Sequence, residues 1–217
     1  MKNIKAVVFD MDGLMFATEG LWVESMLKAG EKMGCPLDKE YLISIAGLRH
    51  DLYDGKLQQH MGENFDMPLC RKIAQAYFNE AIENGEMQVK QGVRELLDFF
   101  HSKGLIMAIA SSSDIEDVRH RLDVAGINQN YFTSIIGGDM VKKAKPDPEV
   151  YIKSCQVLGV KPENAMALED SDVGIESAAR AGLKGIHIPD LKPSTEKTKA
   201  FAYHTCENLL EVIDLFK

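Results

Sequence analysis

Two carboxylates, Asp10 and Asp12, close the stretch VVFDMDG near the start of a 217-residue chain. The residues before them are apolar strand formers, so both carboxylates belong at a strand tip. There they repel each other unless a cation answers them. Three later stretches carry complementary chemistry. ASSS brings the hydroxyls of Ser111, Ser112 and Ser113, KAKPDP brings the ammonium of Lys145, and LEDSD brings Glu169, Asp170 and Asp172. A set of oxygen ligands favours a hard divalent ion, and Mg²⁺ takes a few carboxylates while keeping room for a substrate phosphate. A carboxylate beside such an ion can attack phosphorus. A second carboxylate can protonate the leaving oxygen and later activate water. A hydroxyl and a lysine can hold the phosphoryl oxygens. The spacing is not that of an EF-hand, because Met15 stands where its invariant glycine would be, and the sequence has no Walker A loop.

These groups can meet only if the chain delivers them to one edge. Short apolar runs over 5–10, 105–110, 131–136, 165–168 and 183–188 read as strands, largely apolar on both faces, as in a parallel sheet covered by helices. Helix-period segments lie between them. Val93, Leu96, Leu97 and Phe100 form one stripe, with Gly104 as its stop, and Ile115, Val118 and Leu122 form another, with Gly126. Asp147 reads as an N-cap with Pro148 at the first helical position. Ser171 or Asp172 is expected to cap the helix that ends at Gly182. This alternation predicts a doubly wound, Rossmann-like α/β core, in which ligands bind beyond the carboxyl ends of the strands. All the groups above stand at such ends.

Residues 18–85 break the rhythm with four helical stretches and no strand. The expected stripe of the fourth is Leu69, Ile73, Ala76, Tyr77 and Ala81. The predicted organisation is an α/β core formed by 1–17 and 86–217, with an all-helical cap over 18–85 inserted after the first strand. A net charge of −8 argues against a nucleic-acid backbone as partner. Cys35, Cys70, Cys155 and Cys206 are too widely spaced for a disulfide framework or a zinc site and are expected to be free thiols. No signal-peptide pattern and no run of 18 apolar residues is present, so a cytoplasmic protein without membrane contact is expected.

The stretches DMDGLMFATE, ASSS, KAKPDP and LEDSDVGIESAARAG, in this order and with a helical insert after the first, resemble the haloacid dehalogenase superfamily. The likeness is greatest to its β-phosphoglucomutase-like phosphatases and covers essentially the whole chain. The resemblance implies roles position by position. Asp10 matches the nucleophile that becomes an aspartyl phosphate, and Asp12 matches the general acid/base, whose backbone carbonyl also faces the metal. Ser111 matches the phosphate-binding hydroxyl, although Ser112 and Ser113 can equally donate to phosphate or cap the next helix. Lys145, the lysine that precedes Pro146, matches the one that pairs with the nucleophile; Lys142 and Lys143 read as solvated. Glu169 and Asp170 match the acidic metal-binding pair, Asp170 the surer ligand, and family members use Mg²⁺. Asp172 reads as an N-cap rather than a ligand.

In the resembling family the cap loop that corresponds to AGLRHD, residues 46–51, faces the active site. Arg49 would then contact a second phosphate or a sugar; otherwise it is a surface arginine. Two departures stand out: Ala17 where relatives often carry Asp, and Trp22 where sugar phosphomutases carry a histidine tied to mutase behaviour. The expected protein is a monomeric, Mg²⁺-dependent phosphatase of a small phosphorylated metabolite such as a sugar phosphate. The alternatives are a β-phosphoglucomutase-like isomerase and, in another class, a receiver-like phosphate-binding module. Asp12 argues against a dehalogenase, whose halide leaves without a proton.

Overall fold

The computed structural model describes residues 1, 3–48 and 50–217. Six strands form one parallel sheet: β1 (Ala6–Phe9), β2 (Ile106–Ala110), β3 (Phe132–Ile136), β4 (Ala165–Glu169), β5 (Lys184–His187) and β6 (His204–Thr205), in the order β3-β2-β1-β4-β5-β6. The order reverses at β1, which places the crevice of a doubly wound sheet at its carboxyl end. The register does the rest. Phe9 lies level with Ile109 on one side and with Leu168 on the other, so Asp10, Ser111 and Glu169 all lie at the same edge.

Side-chain size differs between the two faces of the sheet. Val7, Phe9, Met107, Ile109, Met166 and Leu168 fill one face against α5 (Val93–Ser102) and α6 (Ile115–Val124). The other face carries Ala6, Val8, Ala108, Ala110, Ala165 and Ala167. Alanines leave room for α7 (Glu149–Leu158) to bring Val150, Tyr151 and Cys155 close, and for α8 (Asp172–Arg180) to bring Ala178. The short helices α9 (Glu196–Phe201) and α10 (Glu211–Asp214) complete the core. β6 has only two residues, both exposed, and carries no periodic signal in the sequence.

Between β1 and α5 the chain forms α1 (Thr18–Lys32), α2 (Lys39–Ile45), α3 (His50–Met61) and α4 (Met67–Glu83). They pack around their own apolar cluster, which includes Val23, Met26, Leu42, Leu57, Cys70 and Ala74. The stripe expected for α4 is rotated. Leu69 is 44% exposed, while Met67, Cys70, Ala74, Phe78, Ala81 and Ile82 are buried. Both sets repeat at the helical period, and packing against α1 selects the second. The two links into this helical unit lie side by side: Phe16 bridges Val89, the Ala17 N–H donates to the Gln88 carbonyl (3.0 Å), and the Lys90 N–H donates to the Met15 carbonyl (2.9 Å). Ala17 precedes α1 with no side chain able to cap it.

Helix starts differ slightly from expectation. Helix α7 begins at Glu149, with the Asp147 carboxylate accepting the Glu149 N–H at 3.1 Å, so Pro148 is the boundary residue. Ser171 caps α8 by accepting the Gly174 N–H (3.1 Å). Asp172 is the first helical residue and accepts from Thr195 (2.8 Å) and Thr198 instead, because those hydroxyls approach it from α9 and the turn before it. Cys35 is exposed, Cys70, Cys155 and Cys206 are buried, and all four are free. Among the described residues no helix is long and apolar enough to cross a membrane.

Candidate active site

The carboxyl ends of β1, β2 and β4 bring together most of the residues singled out from sequence. The centre is a buried ammonium. Lys145 Nζ donates to Asp10 Oδ1 (2.5 Å), to Glu169 Oε1 (2.5 Å) and to the Ala110 carbonyl (3.0 Å). The lysine follows a loop after β3, and the peptide bond to Pro146 is cis. Lys145, Asp10 and Glu169 are 7%, 7% and 0% exposed, so the two carboxylates are the counter-ions of this cation. Burial alone would drive the ammonium towards neutrality, but Asp10 and Glu169 reverse this and hold Lys145 well above the ordinary lysine range.

One ammonium does not balance the site. Ligand oxygens of Asp10, Glu169 and Asp170 lie within 4.8 Å of one another. Burial, and then Glu169, push Asp10 well above the usual carboxylate range despite Lys145. Burial, then Asp10 and Glu169, do the same to Asp170. A surplus of buried negative charge on oxygen ligands is the chemistry a hard divalent cation fits. The three carboxylates are not equivalent. Glu169 gives one oxygen to Lys145 and to the Tyr151 hydroxyl (2.6 Å), and the other accepts from the Ser171 hydroxyl (3.2 Å). The Asp170 carboxylate has no hydrogen-bond partner among the described residues, while its backbone carbonyl accepts from His187 Nε2 (2.9 Å). Two glycines make the close approaches possible. A Cβ at Gly13 (φ +83°) would run into the Asp170 carboxylate, and one at Gly174 would run into the carboxyl of Glu169.

Asp12 faces a different set of partners. Its Oδ1 accepts from the Thr18 hydroxyl at 2.7 Å, and its Oδ2 accepts from the hydroxyls of Ser113 (2.8 Å) and Ser111 (3.4 Å). Arg121 Nη1 reaches both oxygens, at 2.7 and 2.9 Å. Burial would raise its pKa, but the Arg121 guanidinium and the hydrogen bonds from Thr18 and Ser113 hold it below the usual range. The two aspartates are thus pushed in opposite directions.

A cavity opens beside these groups, lined by Asp10, Asp12, Lys145 and Asp170 from the core and by Glu19, Trp22, His50, Tyr53, Arg71 and Phe78 from the helical unit. Trp22 packs edge-on to Tyr53 and Phe78, with ring centroids 6.3 and 5.6 Å away, and Arg71 lies over its ring at 5.2 Å. Arg71 also pairs with Asp54 and bonds His50 Nδ1 (2.9 Å). Glu19 accepts the Gly47 N–H at 3.2 Å; burial, then Asp12, raise its pKa to about 7.

Ser112 lines the same cavity but is exposed, and it is the hydroxyls of Ser111 and Ser113 that face Asp12. Arg49 lies outside the described residues. Sequence reasoning missed Arg121, Thr18, Tyr151 and the part played by Ser113. For Arg121 a signal existed: it shares the inner face of α6 with Val118 and Leu122, where a charge is out of place unless something answers it.

Known proteins similar to this chain point to one family. The sequence profile of the haloacid dehalogenase-like hydrolases matches residues 7–188. A phosphorylated carbohydrates phosphatase of Thermotoga maritima is 32% identical over 189 residues, covering 85% of this chain and 84% of that protein. Hexitol phosphatase B of Escherichia coli is 27% identical over 191 residues, covering 87% and 85%. Among solved structures, that of CbbY from Rhodobacter sphaeroides in complex with phosphate superposes with a TM-score of 0.82 at 25% identity, covering 96% of each chain. A parallel sheet with this switch point, a buried lysine between two strand-end carboxylates, and a profile match across most of the sequence place the chain in the haloacid dehalogenase-like hydrolase family.

Proposed function

We propose that this phosphoric monoester hydrolase releases phosphate from a small phosphorylated metabolite, through an aspartyl phosphate on Asp10 and with Mg²⁺ as cofactor. The observation that carries the reading is the grouping of Asp10, Glu169 and Asp170 beside the cavity, with the buried Lys145 paired to the first two. Asp10 and Asp170, with the backbone carbonyl of Asp12, would hold the ion, while Glu169 stands behind them as the anchor of Lys145. When bound, the ion would neutralise charge on the phosphoryl oxygens and on the carboxylates.

The protein's own groups do the rest. Asp10 attacks phosphorus as the bond to the ester oxygen breaks, and Asp12 gives that oxygen its proton. Water then attacks the same phosphorus, Asp12 takes the water's proton, and the bond to Asp10 breaks. Lys145 orients Asp10 and offsets part of its charge before the attack, and Ser111 and Ser112 would donate to the phosphoryl oxygens. The unit formed by α1 to α4 would act as a cap over the leaving group, shutting out water while the first step proceeds.

The relatives named for phosphorylated carbohydrates and hexitols support a polyol or sugar phosphate as the substrate class. Trp22 supports hydrolysis over isomerisation, because its ring packs on Tyr53 and Phe78 and offers no imidazole to the reacting groups. The four free cysteines support a reducing compartment such as the cytoplasm.

The test is Asp10→Asn assayed with p-nitrophenyl phosphate and Mg²⁺. Turnover is expected to vanish while the fold, read by circular dichroism, survives. Wild-type turnover in that variant, or full wild-type activity in excess EDTA, would refute the nucleophile or the metal respectively.

A further inference from the structure

Arg121 has no place in the reaction as set out above, yet it is one of two buried cations at the site among the described residues, 6% exposed. A buried guanidinium must be paired, since an isolated charge away from water is strongly unfavourable. Its partner is Asp12. Nη1 lies 2.7 Å from Oδ1 and 2.9 Å from Oδ2, and 3.0 Å from the hydroxyl oxygen of Ser113, which itself donates to Asp12. The other carboxylate near it, Asp117, is 4.0 Å away and 60% exposed. The far side of the guanidinium lies over the Phe78 ring of α4, 5.4 Å from its centroid.

The remaining donors to Asp12 are the hydroxyls of Thr18, Ser111 and Ser113, which are neutral and rotate. Arg121 is the charged donor in the group, and a charge-assisted bond is roughly twice as strong as a neutral one. It is also fixed from two sides, by Ser113 and by Phe78.

We propose that Arg121 is the positioning residue for proton transfer: it fixes the Asp12 carboxyl in the orientation that serves the leaving oxygen. This rests on the reading of Asp12 as the group that gives the ester oxygen its proton as the phosphorus–oxygen bond breaks and takes one from the water that later opens the aspartyl phosphate.

The experiment compares kcat/KM for p-nitrophenyl phosphate, whose leaving group departs without a proton, with that for phenyl phosphate, whose leaving group needs one. Wild type, Arg121→Met, Arg121→Lys, Asp12→Asn and the Asp12→Asn/Arg121→Met double variant are assayed with Mg²⁺. General acid catalysis as a whole is worth about 10²–10⁴-fold, so loss of its positioning in Arg121→Met is expected to cost roughly tenfold more on phenyl than on p-nitrophenyl phosphate. KM should hold while kcat falls, Arg121→Lys should recover part of the loss, and the double variant should be no worse than Asp12→Asn, since the two act as one unit. Equal losses on both substrates, or a double variant well below Asp12→Asn, would overturn the proposal. If Asp12→Asn shows the excess loss and Arg121→Met does not, Arg121 alone is wrongly assigned. If Asp12→Asn shows none, the Asp12 reading fails and this proposal with it. Should Arg121→Met not fold, Arg121→Lys carries the test, and an equal loss on the two esters overturns the assignment.

Discussion

Glu19 offers a quantitative check on the electrostatics of the cavity. Its carboxylate sits near Asp12 and Asp190, with the Gly47 N–H and Lys192 only partly offsetting burial, and its pKa rises from an ordinary 4.5 to about 7. An acid with a raised folded-state pKa binds its proton more tightly folded than unfolded. Between pH 4.5 and about 7 the folded state therefore holds the extra proton, and stability falls as pH rises. Above that window, at about 1.4 kcal/mol per pH unit, the ionised group costs the fold about 3 kcal/mol. Glu19→Gln keeps an oxygen for the Gly47 N–H and removes the charge. The variant should match wild type near pH 4.5 and exceed it by about 3 kcal/mol above pH 7. For a chain of this size that is roughly 6–12 °C in Tm. The assay is thermal unfolding of both proteins in EDTA from pH 4.5 to 8.5. Taking the difference between them removes the titration of Asp10 and Asp170, which the two share. A stability difference that stays flat across this range would refute the reasoning, because Glu19 would then ionise in the fold as easily as in the unfolded chain.

Two further outcomes test the packing of the charged centre. Lys145→Met strands Asp10 and Glu169 without their cation, and breaking such a buried pair should cost about 3–5 kcal/mol, a loss that shrinks as the pH falls and Asp10, whose pKa burial already raises, takes up its proton; urea unfolding in EDTA at pH 5 and 8 reads both the size and the sign. Gly174→Ala pits helix propensity against contact. Propensity alone predicts a gain of up to about 1 kcal/mol, whereas a Cβ against the Glu169 carboxyl predicts a loss of about 1–3 kcal/mol. A thermal melt decides between them by its direction.

The sequence alone determined the groups that converge at strand ends. Apolar runs that end in Asp10, Ser111 and Glu169 are local features, and a parallel sheet has only one carboxyl edge on which to display them. Lys145 was legible for the same reason: KAKPDP follows the strand that ends near Ile136, and no other lysine in that loop precedes a proline as the resemblance requires. Four helical stretches after the first strand were legible from their period and their glycine stops. What stayed hidden depends on how helices are rotated and on which side chains meet across long separations. The buried face of α4 could not be chosen from sequence, because Leu69, Ile73 and Tyr77 repeat at the same period as Cys70, Ala74 and Phe78, and packing against α1 broke the tie. Arg121 stood out in sequence only as a charge on the apolar stripe of α6, with nothing local to name its partner. It became the partner of Asp12, 109 positions away, only once α6 had packed its inner face against the sheet edge. Glu169 reads in sequence like its neighbour Asp170, yet the approach of Lys145, Tyr151 and Ser171 fixed its oxygens and left those of Asp170 open. Residue type and local spacing name the chemistry, because a side chain's functional groups are set covalently. Which oxygen meets which cation is set by distances between elements that only the packed fold fixes.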